Sequence, residues 1–319
     1  MADTLTSLAD MVLLNDVSVR DMGVTDIFNE APLLAALHAI EASHGTDHKF
    51  LKETGAPAVG FRAANAGIEW KDSTDTLVTL ALKILDASFG VDRALADNHV
   101  KGAPAWMARE AMRHLRAAMA HAEVQLFRGD GSADANDAGG FQGLMDILND
   151  TADTMVTAAD GTANLCSVWA IRSVSDESAA CVVVGNAGRI DIPEYYPIDL
   201  LDGSSKHFPG YHQPIQGYMG FQFGSAKSCA RLANIGSDGT GLTDDYLSNL
   251  YELFPAKHKP THFVMNVRSQ MQLQRSRTTY SPTGAEAPLP TSWNGVNFVI
   301  TDNLANDETA LTATPVADT

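Results

Sequence analysis

Histidines, cysteines and clustered oxygens are the side chains here that could do chemistry. Two His-x-x-x-His pairs stand out, His44 with His48 and His258 with His262. Zinc hydrolysis needs both imidazoles on successive turns of one helix and a glutamate directly after the first. Gly45 and Lys259 occupy that glutamate position, and Gly45 and Pro260 oppose the helix. Asp134-Ala-Asn136-Asp137-Ala138-Gly139 starts like a calcium loop, with oxygen ligands at the first and third positions and glycine at the sixth. It then places Ala138 fifth and Met145 twelfth, where a bidentate glutamate belongs, so a turn is the better reading. Cys166, Cys181 and Cys229 are far apart among apolar and small residues, which reads as buried thiols in a reducing compartment and not as a zinc set. Gly236-Ser-Asp-Gly239-Thr-Gly241 has the wrong glycine spacing for a phosphate or dinucleotide cradle, and no Gly-x-Ser-x-Gly elbow occurs. No catalytic set survives, and neither a cofactor nor a metal is expected. The remaining charged constellation is the ridge Arg109, Arg113 and Arg116, suited to a solvated or intersubunit face.

That ridge must sit on a helix. Pro104 fits a first helical turn, and no breaker follows before Gly129. Met107, Ala111, Leu115, Ala118, Ala122 and Leu126 recur at intervals of three or four and form one apolar stripe, with Arg109, Glu110, Arg113, Arg116 and Glu123 largely off it. A helix over 104–128 is therefore expected, with Gly129-Asp130-Gly131 supplying left-handed or turning residues to end it. Phe141, Gly143 and Leu144 then read as the chain re-entering a core.

Around this helix the pattern predicts a short helix over 32–40, extended strands and turns from Asp47 to about Leu80, a buried strand over Leu77–Ile84 and a short helix over Val91–Asp97. Strands are expected at Ser167–Arg172, Cys181–Val184, Tyr218–Phe223, Ala230–Ile235, His262–Met265 and Gly295–Thr301. Residues 188–217, with Pro193, Pro197, Pro209 and Pro214, read as a loop-like insertion. Leu242–Phe254 fits a helix, and Asn266 is placed to cap another. The hairpin of 47–76 is too small to stand alone in water and needs a surface, its own body or a neighbour's.

The chain has 319 residues, 45% of them hydrophobic, enough for about two domains' worth of core. Its 39 acidic against 22 basic side chains argue against a broad nucleic-acid grip, which needs clustered cations. No signal-peptide pattern opens the sequence, and no apolar run is long enough to span a bilayer.

Taken in order, Thr54-Gly-Ala-Pro57-Ala-Val-Gly60-Phe-Arg62-Ala-Ala-Asn65-Ala-Gly67, Asp92–Asp97, Gln125-Leu-Phe-Arg-Gly129-Asp130-Gly131, Phe141-Gln-Gly143-Leu144, Ala230-Arg231-Leu-Ala-Asn234-Ile235 and Phe263-Val-Met-Asn266 form a pattern. The chain resembles the major capsid proteins of tailed bacteriophages with the Hong Kong 97-like shell fold. The resemblance implies an α+β subunit with an N-terminal arm (1–46), an extended loop (47–76), a peripheral domain (77–131) with spine helix 104–128, a first axial part (132–166), peripheral strands with an inserted loop (167–235) and a second axial part (236–319). It implies self-association as pentamers and hexamers into an icosahedral head that encloses double-stranded DNA without reading its sequence. The subunit is then assembled in the host cytoplasm and resident in the virion, with no membrane partner. Separate scaffolding, portal and decoration proteins are its further expected partners, the scaffold because no long charged leader of the fused kind is evident. Pro57, Arg62, Asn65, Gly67, Arg109, Arg113, Arg116, Gly129, Asp130, Gly131, Phe141, Gly143, Leu144 and Arg231 are the expected assembly and fold residues. The rivals are an encapsulin-like compartment, a metal-dependent hydrolase built on the histidine pairs, and a monomeric α/β binding protein.

Overall fold

One uninterrupted helix sets the frame, because nothing between Gly102 and Gly129 opposes helix and Ala, Leu, Met and Arg favour it throughout. The computed structural model describes residues 13–14, 28–55, 57–70, 72–129, 140–150, 153–201, 203, 205–237, 241–279 and 285–311. From the N-terminus come β1 (Leu13–Leu14), α1 (Pro32–Ala36), β2 (Ala39–Glu41), β3 (Asp47–Gly55), β4 (Thr74–Ala81), β5 (Lys83–Asp86), β6 (Phe89–Asp92), α2 (Arg93–Asp97) and the long α3 (Gly102–Arg128). After it follow α4 (Leu144–Ile147), β7 (Val156–Ala158), β8 (Cys166–Ile171), β9 (Ala180–Val184), β10 (Arg189–Ile190), β11 (Tyr196–Leu201), β12 (His207–Gln213), β13 (Gln216–Phe223) and β14 (Cys229–Ile235). The chain closes with α5 (Asp244–Glu252), β15 (His262–Met265), α6 (Val267–Thr279), β16 (Ser292–Trp293) and β17 (Val296–Ile300).

The 27 residues of α3 span about 40 Å. All six predicted stripe residues are buried, and Met112, Met119 and Phe127 widen the stripe. The helix serves two sheets at once. Met119 lines a small apolar cavity with Leu85, Val184 and Met219, on the four-stranded sheet β2-β9-β13-β5. Further along, Phe127 meets Trp169 of the six-stranded sheet β16-β17-β15-β8-β14-β7, with ring centroids 6.2 Å apart. A third sheet, β11-β12-β6, meets the middle of α3, where Phe89 stacks on His114 at 4.5 Å.

Strands β8, β9 and β14 are buried at every residue, which is why they read as unbroken apolar runs and not as alternating ones. The stretch expected as one peripheral block, 167–235, is divided by hydrogen bonding: β8 and β14 pair with each other in the six-stranded sheet, and β9 pairs with β13 in the four-stranded one. Three local expectations are corrected. Helix α1 stops at Ala36 because Leu37 turns extended (ψ 144°) and leads into β2. Leu77 and Ile84 lie on strands but are 59% and 62% exposed, since none of the described residues covers them. Residues 196–213 are a paired hairpin, not a loop; its prolines lie on β11, the sheet edge, and on β12. Asn266 does cap α6, its Oδ1 accepting from the Ser269 amide at 2.8 Å.

Glu123 departs furthest from expectation, being fully buried on α3. Ala31, at the cap position of α1, has no side-chain acceptor, and Glu123 supplies one from 90 residues away, accepting from the Leu33 amide at 2.8 Å and the Leu34 amide at 3.2 Å. Its other oxygen accepts a short bond from the Thr301 hydroxyl and a 3.0 Å bond from the Asn303 amide. Burial pushes this carboxyl up, and the four donors pull it back. Arm, spine and the end of β17 thus meet on one side chain. Glu123→Gln replaces one of two acceptor oxygens by a donor, so either the Leu33 and Leu34 amides or the Thr301 and Asn303 donors lose their acceptor, and it is expected to cost about 1–3 kcal/mol in urea denaturation. An unchanged midpoint would remove Glu123 from this role.

Candidate assembly surfaces

Strands β3 and β4 form an antiparallel hairpin in register from Asp47↔Ala81 to Gly55↔Thr74, with an irregularity after Glu53. Its base is tied to the body. His48 Nε2 and Gln222 Oε1 are 2.9 Å apart, and Leu80 and Leu82 close over Gly220, where a Cβ would meet Leu82 at 2.8 Å. Beyond the strands, residues 57–70 leave the body altogether. Val59 is 86% exposed, Trp70 91%, and Phe61 fully. Asn65 makes the tip turn with φ +64°, a left-handed value that asparagine tolerates, and Arg62 donates to the Ala66 carbonyl at 3.2 Å. Pro57 and Gly67 are exposed there too. This segment is extended and apolar, held within itself only by its tip turn and the Arg62 bond among the described residues.

The far end of α3 is a close-packed stop. Gly129 ends the helix as expected, by turning extended (φ −59°, ψ 130°) without a left-handed conformation; it is glycine because a Cβ would collide with the Phe141 carbonyl and the Gln125 side chain. Gly143 donates to the Gly129 carbonyl at 2.6 Å, and a Cβ there would meet the Gln125 carbonyl at 2.7 Å. Gln125 Nε2 donates to the Phe141 carbonyl at 2.7 Å. Phe141 and Leu144 are buried beside it. The Phe-x-Gly-Leu stretch is therefore a clamp on the helix end. Asp130, Gly131 and the calcium-like stretch 134–139 lie outside the described residues.

Arg231 is 2% exposed and fully engaged. It donates to Ser167 Oγ, the Leu148 carbonyl and Glu308 Oε2, each at 2.9 Å, and its guanidinium lies over the Trp169 ring at 5.2 Å. Burial pulls the guanidinium down and the Glu308 charge offsets it. The ridge on α3 is different in kind. Arg113 pairs with Glu110 at 2.7 Å and Arg109 at 3.6 Å, with both arginines more than half exposed, so these pairs contribute little to stability. Arg116 is half-buried.

The histidine pairs do not converge with other ligands; among the described residues no group of three His, Cys, Asp or Glu could hold a metal. His262 has its pKa lowered by burial and contacts Thr261 at 2.9 Å. The three thiols are free and buried, Cys181 pushed up to about 12 by desolvation, which makes it a poor nucleophile. Glu123 and Glu308 escaped sequence reasoning, and Gln125 entered it only as the first residue of the 125–131 pattern. A carboxylate at the edge of an apolar stripe was the available signal for Glu123; Glu308 carries none.

Removing one partner of the Arg231–Glu308 pair strands a buried charge. Arg231→Met and Glu308→Met are each expected to lose about 3–5 kcal/mol, and the double variant is expected to lose less than either alone. Additive losses in equilibrium unfolding would refute the coupling.

The family model for major capsid protein GP7 matches residues 22–312. Among solved structures, a chain of bacteriophage Epsilon15 is similar with TM-score 0.65 and 18% identity, covering 86% of this chain and 88% of that one. The bacteriophage JBD30 capsid gives TM-score 0.46 at 14% identity, over 83% of this chain and 88% of its own. The holo-SrpI encapsulin complex of Synechococcus elongatus PCC 7942 gives 0.40 at 9%, over 63% and 86%. No curated protein sequence matches. The Epsilon15 likeness establishes a phage shell fold of the Hong Kong 97-like kind. With the family match running over nearly the whole chain and that fold beneath it, the chain belongs to the major capsid protein GP7 family and is a structural subunit of a tailed-phage virion.

Proposed function

We propose that copies of this subunit associate as pentamers and hexamers into a closed icosahedral head around double-stranded DNA, each clasping its neighbour with residues 57–70. The carrying observation is that Val59, Phe61 and Trp70 stand bare, with no other described residue of the chain covering them. Burying each such side chain is worth roughly 1.5–3 kcal/mol, and the gain is available only on contact with another molecule. Loop order and shell assembly are then one free energy.

In this reading Pro57, Arg62, Asn65 and Gly67 shape the clasp, Arg109, Arg113 and Arg116 offer intersubunit charge, and Gly129, Asp130, Gly131, Phe141, Gly143, Leu144 and Arg231 hold the spine to the rest. The axial part is the six-stranded sheet with α5 and α6, and the peripheral part is the first two-thirds of α3 with the other two sheets. The 167–235 boundary accordingly moves so that β8 and β14 go with the axial part. A net charge of −17 favours a wall that does not grip packaged DNA and needs salt screening between copies. Scaffolding, portal and decoration proteins are partners of the assembled shell. No reaction is part of this reading.

Electron microscopy of the overexpressed protein is expected to find closed particles. Replacing residues 57–70 by a short Gly-Ser link is expected to leave the denaturation midpoint unchanged and abolish particles. Particles built without the loop would refute the clasp.

A further inference from the structure

Of the four histidines in the two sequence pairs, His258 alone has no side-chain hydrogen bond among the described residues; His44, His48 and His262 meet Ser43, Gln222 and Thr261. His258 lines a groove of about 490 Å³ that the shell reading does not use. Four separated stretches wall it: β3 through Lys52, the β8–β9 turn through Arg172 and Glu177, the β13–β14 turn through Lys227, and the loop before β15 through His258.

The charges of this lining are unequally engaged. Arg172 donates to Asp176 Oδ2 at 2.9 Å and to Ser178 Oγ at 3.0 Å, and it holds the Asp176 carboxyl down, to about 2, so these two charges cancel. Lys52, Lys227 and His258 are in no ion pair among the described residues. The Lys52 ammonium has the Phe223 ring, 5.5 Å away, and Lys227 is exposed. Glu177 is the one carboxylate of the lining outside an ion pair, so cationic groups are left in excess. In a chain of net charge −17, this is a local reversal of sign. The turn that carries Lys227 is fixed: the Ser228 amide donates to the Ser225 carbonyl and the Lys227 amide to Ser225 Oγ, each at 3.0 Å. Gly224 before it admits no Cβ, which would strike the Glu177 carbonyl.

We infer that this groove binds a multiply charged phosphoryl anion, held by Lys52 and Lys227 with His258 as a further donor. Lysine ammoniums act as point charges suited to phosphate, and cations arriving from three separate walls surround one compact polyanion better than they follow an extended chain. No Phe, Tyr or Trp lines the groove, so recognition there is of phosphate and not of a nucleobase. The volume is that of a small-ligand cleft. Because Lys52 belongs to the hairpin and Lys227 and His258 to the body, the bound anion would staple the two together, close to the His48–Gln222 contact at the hairpin base. The inference is independent of the shell reading.

The test is isothermal titration of the full chain with sodium pyrophosphate in chloride buffer at fixed ionic strength. One saturable site per subunit is expected. Lys52→Gln with Lys227→Gln is expected to weaken it by about tenfold or more, and Lys101→Gln, outside the groove, to leave it unchanged, with the parental urea midpoint in each case. Lys227→Gln alone, at an exposed turn, is expected to weaken binding severalfold and removes any dependence on the half-buried Lys52. No saturable site, or a site indifferent to these substitutions, would overturn the inference. A short DNA duplex is titrated in parallel: lysine-dependent binding displaced by pyrophosphate assigns the anion to a nucleic-acid backbone, whereas pyrophosphate binding without duplex binding assigns a free anion. An octaglutamate peptide held by the same lysines as tightly as pyrophosphate would overturn the phosphoryl assignment in favour of a carboxylate-bearing partner.

Discussion

A carboxylate buried on the spine helix constrains the whole body. Glu123 has four hydrogen-bond partners, all uncharged donors, and they come from two distant parts of the chain. An ionised group taken out of water is costly unless its lone pairs are filled, so the donors must be held where they are. The arm helix therefore starts against the spine, and the end of β17 lies alongside. Because the spine also packs on two sheets through Met119 and Phe127, fixing these partners fixes the angle between the halves of the subunit.

A second buried charge does similar work nearer the helix end. Arg231 sits on β14, yet its partners are Ser167 on β8, the Leu148 carbonyl beyond the glycine clamp, and Glu308 near the end of the described chain. Gly129 and Gly143 bring the returning backbone within hydrogen-bonding distance of α3 at a separation no Cβ would allow. Each device turns a local residue choice into a long-range restraint. Together they make a rigid platform, the condition under which an unsupported hairpin can be aimed at another molecule without the body giving way.

The platform and the reaching parts differ in their energetics. Inside, apolar residues from nearly every element form one continuous core. Outside, among the described residues, 57–70 and β11 leave large apolar side chains in water. Exposed apolar area of this kind lowers nothing in the lone subunit, and its stabilising worth appears only on association. The acidic net charge opposes indiscriminate aggregation of these surfaces, so contact requires the fitted one.

Much of this was settled by local sequence. The absence of a breaker between Pro104 and Gly129 determined the spine, the three-and-four spacing from Met107 to Leu126 determined its buried side, the apolar runs at 167–172 and 230–235 determined two central strands to within a residue, and Asn266 announced a helix start. Helix and strand preferences act over a few residues, so a few residues suffice to read them. What was buried against what was decided only by the tertiary structure. Glu123 looked like a solvated side chain because its donors lie 89 to 180 residues away. Leu77 and Ile84 looked like core because apolarity does not say whose surface will cover it. Residues 196–213 looked like loop because of their prolines, whereas Pro197 lies on the edge strand β11 and Pro209 lies just before the stretch of β12 that pairs with β6. Gly129 looked like a turn residue, whereas its need for glycine came from a carbonyl of Phe141 that returns to touch it. In each case the deciding neighbour was far off in the chain, and distance along the chain is what a local reading cannot cross.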